Sequence, residues 1–317
     1  MHNLESIIQT YLNFCQYQKR LDTKTVKSYR IDLYQFLSST NITRSYQLSS
    51  NLLEIYIMSL HQTYKPKTAK RKIASLKAFF HYMEYKGYIE TNPFNRIQIK
   101  FREPVILPKT IPLNIIEQLL ATMYKQQTIV STPYQKKTLL RDTAVVELLF
   151  ATGMRISELC NLKAKNVSLH EKNILIYGKG SKERLIQIAN QSVYEILLKY
   201  YEIYQQEITN CEYFFIGHAC TPLSDQCVRR MLRKYCSLAG VDLHITPHMF
   251  RHTFATSLLE ADVDIRYIQE MLGHSSIHIT EIYTHVSKAK QRDILERRHP
   301  RKRMLIQESQ YSTNKSI

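Results

Sequence analysis

Apolar positions in the first hundred residues recur at steps of three and four, the spacing of helices with one buried face. Ile7, Ile8, Tyr11, Leu12 and Cys15 mark the first helix. Val26, Tyr29, Leu33, Phe36 and Leu37 mark a second over about 23–37. A third is expected over 51–61 behind the capping serines Ser49 and Ser50. The fourth opens at Pro66, a good first-turn residue, and stops before Gly87. Its inner stripe is Ala69, Ile73, Leu76, Phe80 and Met83, while Lys65, Lys67, Lys70, Arg71, Lys72 and Lys77 crowd its first half. The pattern breaks over 97–112, where Pro104, Pro108 and Pro112 favour an extended connection. The rest is mixed, with helices expected at 113–123, 139–152, 192–206, 224–239, 247–260, 264–272 and 287–297. Alternating apolar residues at 173–177 and 184–188 flank Gly178-Lys179-Gly180-Ser181-Lys182 and predict a hairpin. The expected fold is therefore mainly α with a small β-sheet in the second of two domains: a helical domain over 1–98, a linker over 99–112, an α+β domain over 113–298 and a polar tail over 299–317.

Charge sharpens this picture. Lys and Arg number 44 against 27 Asp and Glu, a net charge of +17 in a chain of otherwise ordinary globular composition. Such an excess creates a field that draws polyanions, and nucleic acid fits it, as would a ribosomal or membrane surface. No apolar run approaches the roughly 18 residues that span a bilayer, and the first residues lack a basic, cleavable leader. Six cysteines, at 15, 160, 211, 220, 227 and 236, form no CxxC pair and no metal-ligand spacing. Reduced thiols in a cytoplasmic protein are the expectation.

Four segments share one chemical theme. In Ala151-Thr-Gly-Met-Arg155-Ile-Ser-Glu158, one helix ends at Gly153 and another starts near Ser157, so Arg155 stands at a tight corner. Its planar fork could hold two phosphate oxygens, or it could simply pair with Glu158 at the surface. Lys179 lies between two glycines at the hairpin turn, where a solvated lysine is the commonest occupant and Lys182 is a nearby competitor. In Thr246-Pro-His248-Met-Phe-Arg251-His252, His248 and Arg251 stand three apart on one helical face, with His252 expected to point elsewhere. In Leu272-Gly-His274-Ser-Ser, His274 sits at a helix junction, and Tyr283 follows about two turns on. Most tyrosines are packing residues, and this chain has 22.

Together these residues suit attack on a phosphodiester. Two arginines and two histidines could neutralise the charge that develops on the phosphate, without a metal ion. A phenol could serve as nucleophile once its proton is drawn off, and Lys179 could protonate the departing 5′ oxygen. An aryl phosphate ester would keep the bond energy, so resealing would need no ATP. No carboxylate cluster suggests a two-metal nuclease, and no cofactor is expected. Of the seven glycines, Gly153, Gly178, Gly180 and Gly273 sit beside these residues.

ATGMRISEL, YGKGSKERLIQI, TPHMFRHTFATSLLEADVDIRYIQEMLGHSS and EIYTHVS, in this order and spacing, closely resemble the tyrosine recombinase (phage integrase) family, in particular its Xer-like branch. The resemblance covers nearly all the chain, including SYRIDLYQFL and LPKTIP. It implies Tyr283 as nucleophile, Arg155, Lys179, His248, Arg251 and His274 as the phosphate-activating set, and Glu158 as a support for site geometry. It also implies a SAM-like, core-binding N-terminal domain that closes with the catalytic domain as a C-shaped clamp on double-stranded DNA. The expected assembly is a homo- or hetero-tetramer on two paired sites, working through a 3′-phosphotyrosyl link and a Holliday junction. Whether a paralogous recombinase or accessory protein takes part is left open, as is the choice between chromosome dimer resolution and mobile-element integration or excision. The expected location is the cytoplasm, at the nucleoid. Candidate DNA contacts are Lys24, Lys27, Arg30, Lys67, Lys70, Arg71, Arg229, Arg230 and Arg233, each of which could equally be a solvated basic face. A relaxing enzyme of the type IB topoisomerase kind and a DNA-binding regulator without catalysis are the competing functions. Ile294 and Leu295, in the helix expected at 287–297, could pack on a neighbouring subunit or within the monomer.

Overall fold

The computed structural model describes residues 3–99, 108–178 and 183–273. The chain divides into two compact units, Met1–Val105 and Ile106–Ile317. Lys179 and Lys182, His274, Tyr283, the helix expected at 287–297 and the tail all lie outside the described residues.

The first unit is helical: α1 (Leu4–Asn13), α2 (Thr23–Thr40), α3 (Ser50–Thr63) and α4 (Pro66–Tyr85). The expected stripes are the buried ones. Ala69, Ile73, Leu76, Phe80 and Met83 of α4 face a core with Leu33 and Phe36 of α2 and Leu53 and Tyr56 of α3. Ser49 caps α3 by accepting from the Leu52 N–H at 3.2 Å. Two local features depart from simple periodicity. A π-helical turn, Phe14–Gln18, follows α1, and α2 runs three residues beyond its predicted end, to a left-handed cap at Asn41.

The first half of α4 is less uniformly exposed than its charges suggest. Lys67, Lys70 and Arg71 are exposed, but Lys72 is buried. Asp32 of α2, also buried, accepts from Lys72 at 3.0 Å, from Ser75 at 2.8 Å and from both terminal nitrogens of Arg71. A buried carboxylate needs such a shell of donors, and this one joins α2 to α4. Lys72 therefore belongs to the interior, a correction to its placement in the basic cluster, and Arg71 is paired with Asp32.

The second unit opens with α5 (Leu113–Ile129), α6 (Pro133–Thr152) and α7 (Ile156–Cys160). A three-stranded antiparallel sheet follows, of β1 (Val167–Ser168), β2 (Asn173–Tyr177) and β3 (Glu183–Gln187) in that order. Next come α8 (Gln191–Cys211), α9 (Asp225–Leu238), α10 (Pro247–Glu260) and α11 (Ile265–Leu272). α6 packs against α5, α8 and α10, and it is buried on nearly every side from Leu139 to Leu149. Ile111, expected in the linker, is buried and donates its N–H to Thr253 of α10 at 2.8 Å. β1 escaped the sequence reading because two residues carry no alternation. The hairpin register pairs Tyr177 with Glu183 and Ile174 with Ile186.

Candidate active site

The site is built at the C-terminal end of α6. Gly153 adopts a left-handed conformation there (φ +58°). A Cβ on this glycine would come within 2.6 Å of the Phe254 ring, so both backbone shape and space demand glycine. Two residues on, Arg155 takes the N-cap position of α7. The capping is done by Glu158, whose Oε2 accepts the Arg155 N–H at 2.8 Å, so the N-cap side chain is left for another task. The Arg155 side chain gives Glu158 one bond, Nη1 to Oε1 at 2.7 Å, and is about a third exposed.

Glu158 has a second arginine, which the sequence reading missed. Arg184 of β3 donates Nη2 to Oε2 at 2.6 Å and Nη1 to Oε1 at 3.1 Å, and both side chains are under a tenth exposed. Burial alone would push the Glu158 carboxyl up, but the donors of Arg184 and Arg155 hold it below the usual carboxylate range. A signal for Arg184 was present in the strand. β3 alternates, with Glu183, Leu185 and Gln187 outward and Arg184 and Ile186 inward, so a charged residue occupies an inward position of an apolar face.

Arg184 also donates Nε to the Met271 carbonyl at 2.8 Å, which links β3 to the last turn of α11. Gly273 caps α11 in the left-handed region (φ +64°), and a Cβ there would meet Arg184 Nη1 at 3.0 Å.

Arg251 is the most enclosed charge in the site, 1% exposed. Its Nη1 donates to the Gly153 carbonyl at 2.9 Å and its Nη2 to the Leu272 carbonyl at 2.6 Å. Both acceptors lie at C-terminal helix ends, where unpaired carbonyls and the helix dipole favour a cation. One guanidinium thus fixes the ends of α6 and α11 relative to α10. His248, one turn before Arg251, is exposed.

His252 does not point away from this group, as its position in the sequence suggested. Its ring meets that of His248 edge-on, with centroids 4.5 Å apart, because residues four apart share a helix face. Burial first, then the neighbouring His248 and Arg251, lowers its pKa from 6.5 to about 4. A histidine kept neutral in the fold makes stability depend on pH with a definite sign. Between pH 6.5 and about 4 the unfolded chain binds the proton that the folded chain refuses, so stability falls as pH drops through that window and levels below it. The melting temperature of a His252→Gln variant should fall less steeply over this range than that of the wild type. Parallel profiles would refute the assignment.

The described structure thus bonds Arg155 to Glu158 and joins Arg251 to Gly153, two residues before Arg155. It describes the hairpin up to Gly178 and α11 up to Gly273, the residues that precede Lys179 and His274. The candidate DNA contacts Lys24, Lys27, Arg30, Lys67, Lys70, Arg229, Arg230 and Arg233 are all exposed. The last three ride on α9, whose opposite face buries Val228, Met231, Leu232 and Tyr235. Among the described residues no three His, Cys, Asp or Glu side chains are grouped to hold a metal ion, and no helix is long and apolar enough to cross a membrane.

Comparison with known proteins places this geometry. Residues 113–290 match the phage integrase family and residues 8–87 match the phage integrase N-terminal SAM-like domain. A tyrosine recombinase of Agathobacter rectalis is 63% identical over 95% of this chain and 99% of its own. The tyrosine recombinase XerD of Listeria monocytogenes is 33% identical over 94% of this chain and 100% of its own. The crystal structure of the XerH site-specific recombinase bound to a palindromic difH substrate, a post-cleavage complex, superposes with a TM-score of 0.70 at 20% identity, covering 92% of this chain and 83% of that one. With both domains matched and the identity sustained along nearly the whole length, this chain belongs to the tyrosine recombinases of the phage integrase family.

Proposed function

We propose that this recombinase breaks and rejoins DNA at specific sites through Tyr283. The Tyr283 oxygen attacks the scissile phosphorus as the bond to the 5′ oxygen breaks, leaving a 3′-phosphotyrosyl link and a free 5′ hydroxyl. Arg155, His248, Arg251 and His274 spread the charge that develops on the phosphate oxygens. Lys179 supplies the proton that the leaving 5′ oxygen needs, offsetting the one lost by the phenol. Glu158 holds Arg155 in place. No metal ion or ATP is required, since the ester formed is close in energy to the one broken. The reverse attack by a 5′ hydroxyl from a second duplex joins the strands, and two rounds pass through a Holliday junction.

The observation that supports this reading best is the pair of arginines fixed around the end of α6. Arg251 is anchored to the carbonyl two positions before His274 and to that of Gly153, two residues before Arg155. Such prior fixing gives charge stabilisation without reorganisation during the reaction.

The working form is a homo- or hetero-tetramer on two paired double-stranded sites, in which the helical domain 1–98 and the catalytic domain 113–298 both contact the duplex. The exposed residues Lys24, Lys27, Arg30, Lys67, Lys70, Arg229, Arg230 and Arg233, with Arg71 beside its ion pair to Asp32, meet phosphates at the nucleoid. Chromosome dimer resolution and mobile-element integration or excision both use this chemistry.

Trapping on nicked duplexes tests the reading, with a panel of imperfect inverted repeats as sites and wild type beside Tyr283→Phe in EDTA. A protease-sensitive covalent adduct, dependent on site sequence and absent from Tyr283→Phe, is expected. Adducts on any sequence would favour a relaxing topoisomerase. Tight binding without an adduct on every site would favour a DNA-binding regulator.

A further inference from the structure

Arg184 has no place in the phosphate-binding set, yet it is the best-anchored partner of the residue that holds Arg155. We propose that Arg184 is a positioning residue: by compensating Glu158 it leaves the Arg155 guanidinium available to the substrate phosphate. This rests on the reading of Arg155 as a phosphate ligand.

The donors around Glu158 set out the case. A buried carboxylate has about four lone-pair sites to satisfy. Arg184 fills one on each oxygen, and Arg155 fills one with its backbone N–H and one with Nη1. Arg155 therefore gives Glu158 a single side-chain bond. Its Nη2 and Nε have no partner among the described residues, and its side chain is the most exposed of the three. Arg184 is held for this work from the other side by Nε on the Met271 carbonyl, close to Gly273, where a Cβ would press on its guanidinium at 3.0 Å. A bidentate arginine–carboxylate pair is stronger and more rigid than a single-point contact.

Removing Arg184 changes the demand on Arg155. Glu158 would stay buried with its charge half matched, and the nearest cation would be the Arg155 fork. The guanidinium would turn onto the carboxylate with two bonds and withdraw from the phosphate. The sign of this effect depends on the charge of Glu158, which makes it separable from a loss of packing.

A double-mutant cycle on the full chain reads the separation. Single-turnover cleavage of a nicked suicide duplex would be measured for wild type, Arg184→Gln, Glu158→Gln and the double variant, with Tyr283→Phe alongside. Arg184→Gln is expected to cleave roughly 100-fold more slowly, the scale of losing one donor to a transition-state oxyanion. Its affinity for the same DNA should stay within about threefold, since a group this buried makes no contact with the duplex. In the Glu158→Gln background the same change should cost no more than about threefold in rate, because no buried carboxylate remains to recruit Arg155. Should Arg184→Gln fail to fold, Arg184→Lys keeps the charge, and the double variant leaves no buried ion unmatched. Loss by a similar factor in both backgrounds would overturn the inference and make Arg184 a packing residue. Cleavage by Arg184→Gln at the wild-type rate would overturn it too. A wild type that forms no adduct dependent on Tyr283 would overturn the reading of the site itself, and this inference with it.

Discussion

Arg251→Met is expected to lower the melting temperature of the chain by roughly 10 °C and to abolish covalent adduct formation. Methionine is long and flexible enough to fill much of the volume, so the effect isolates the lost hydrogen bonds. Two carbonyls, of Gly153 and Leu272, would lose the donors that reach them from a side chain belonging to a residue that is 1% exposed. Each buried acceptor left without a partner costs about 1–3 kcal/mol, which gives about 4 kcal/mol for the pair. A domain of this size shifts by about 2–4 °C per kcal/mol. Differential scanning calorimetry of the two proteins reads the shift, and trapping on nicked DNA reads the adduct. Arg251→Lys should fall between them, since a single ammonium on a flexible stem does not reproduce the fork that spans two helix ends. A shift under about 2 °C would show that Arg251 does not hold α6 and α11 together.

The second large effect is expected in the helical unit. Asp32→Ala should destabilise that unit by about 3–5 kcal/mol, because it leaves the buried Lys72 ammonium without its counter-charge. Arg71 and Ser75 lose their acceptor as well. The chain contains no tryptophan, so urea unfolding is best followed by far-ultraviolet circular dichroism, where the helical unit should unfold at lower urea. Adding Lys72→Met should return much of the loss, since replacing both members of a buried pair by apolar groups is often neutral. An unchanged first transition in Asp32→Ala would mean that water reaches Lys72 and solvates it.

Much of this was written in local spacing. The inner stripe of α4, its start at Pro66 and its end before Gly87 follow from helical period and from two residues with restricted or permissive backbones. So does α10, whose bounds match the reading from sequence, Pro247–Glu260. The Arg155–Glu158 pair was legible because three residues is a contact distance on a helix. What stayed hidden depends on partners far along the chain. Lys72 looks like its exposed neighbours until Asp32, 40 residues earlier, is brought beside it. Glu158 meets Arg184 across 26 residues and a strand. His252 is one step from Arg251 but four from His248, a full helical turn that brings the two imidazoles together. α8 was read five residues short because Glu207, Ile208 and Thr209 carry no clear stripe, although Ile208 is buried.

α6 carries one last implication, for the order in which parts of the catalytic domain open. Amides exchange with solvent through the least costly opening that exposes them, and a helix enclosed on every side has none short of global unfolding. The central turns of α6, from Leu139 to Leu149, should therefore hold the slowest-exchanging amides of the domain, with the arginine site mounted on their final turn. α11 is different: only Ile268 and Leu272 are buried, against a small satellite cluster with Ala255. Its attachment rests on these two side chains and on the Leu272 and Met271 carbonyls held by Arg251 and Arg184. The amides of α11 should therefore exchange before those of α6, which hydrogen exchange read residue by residue would show.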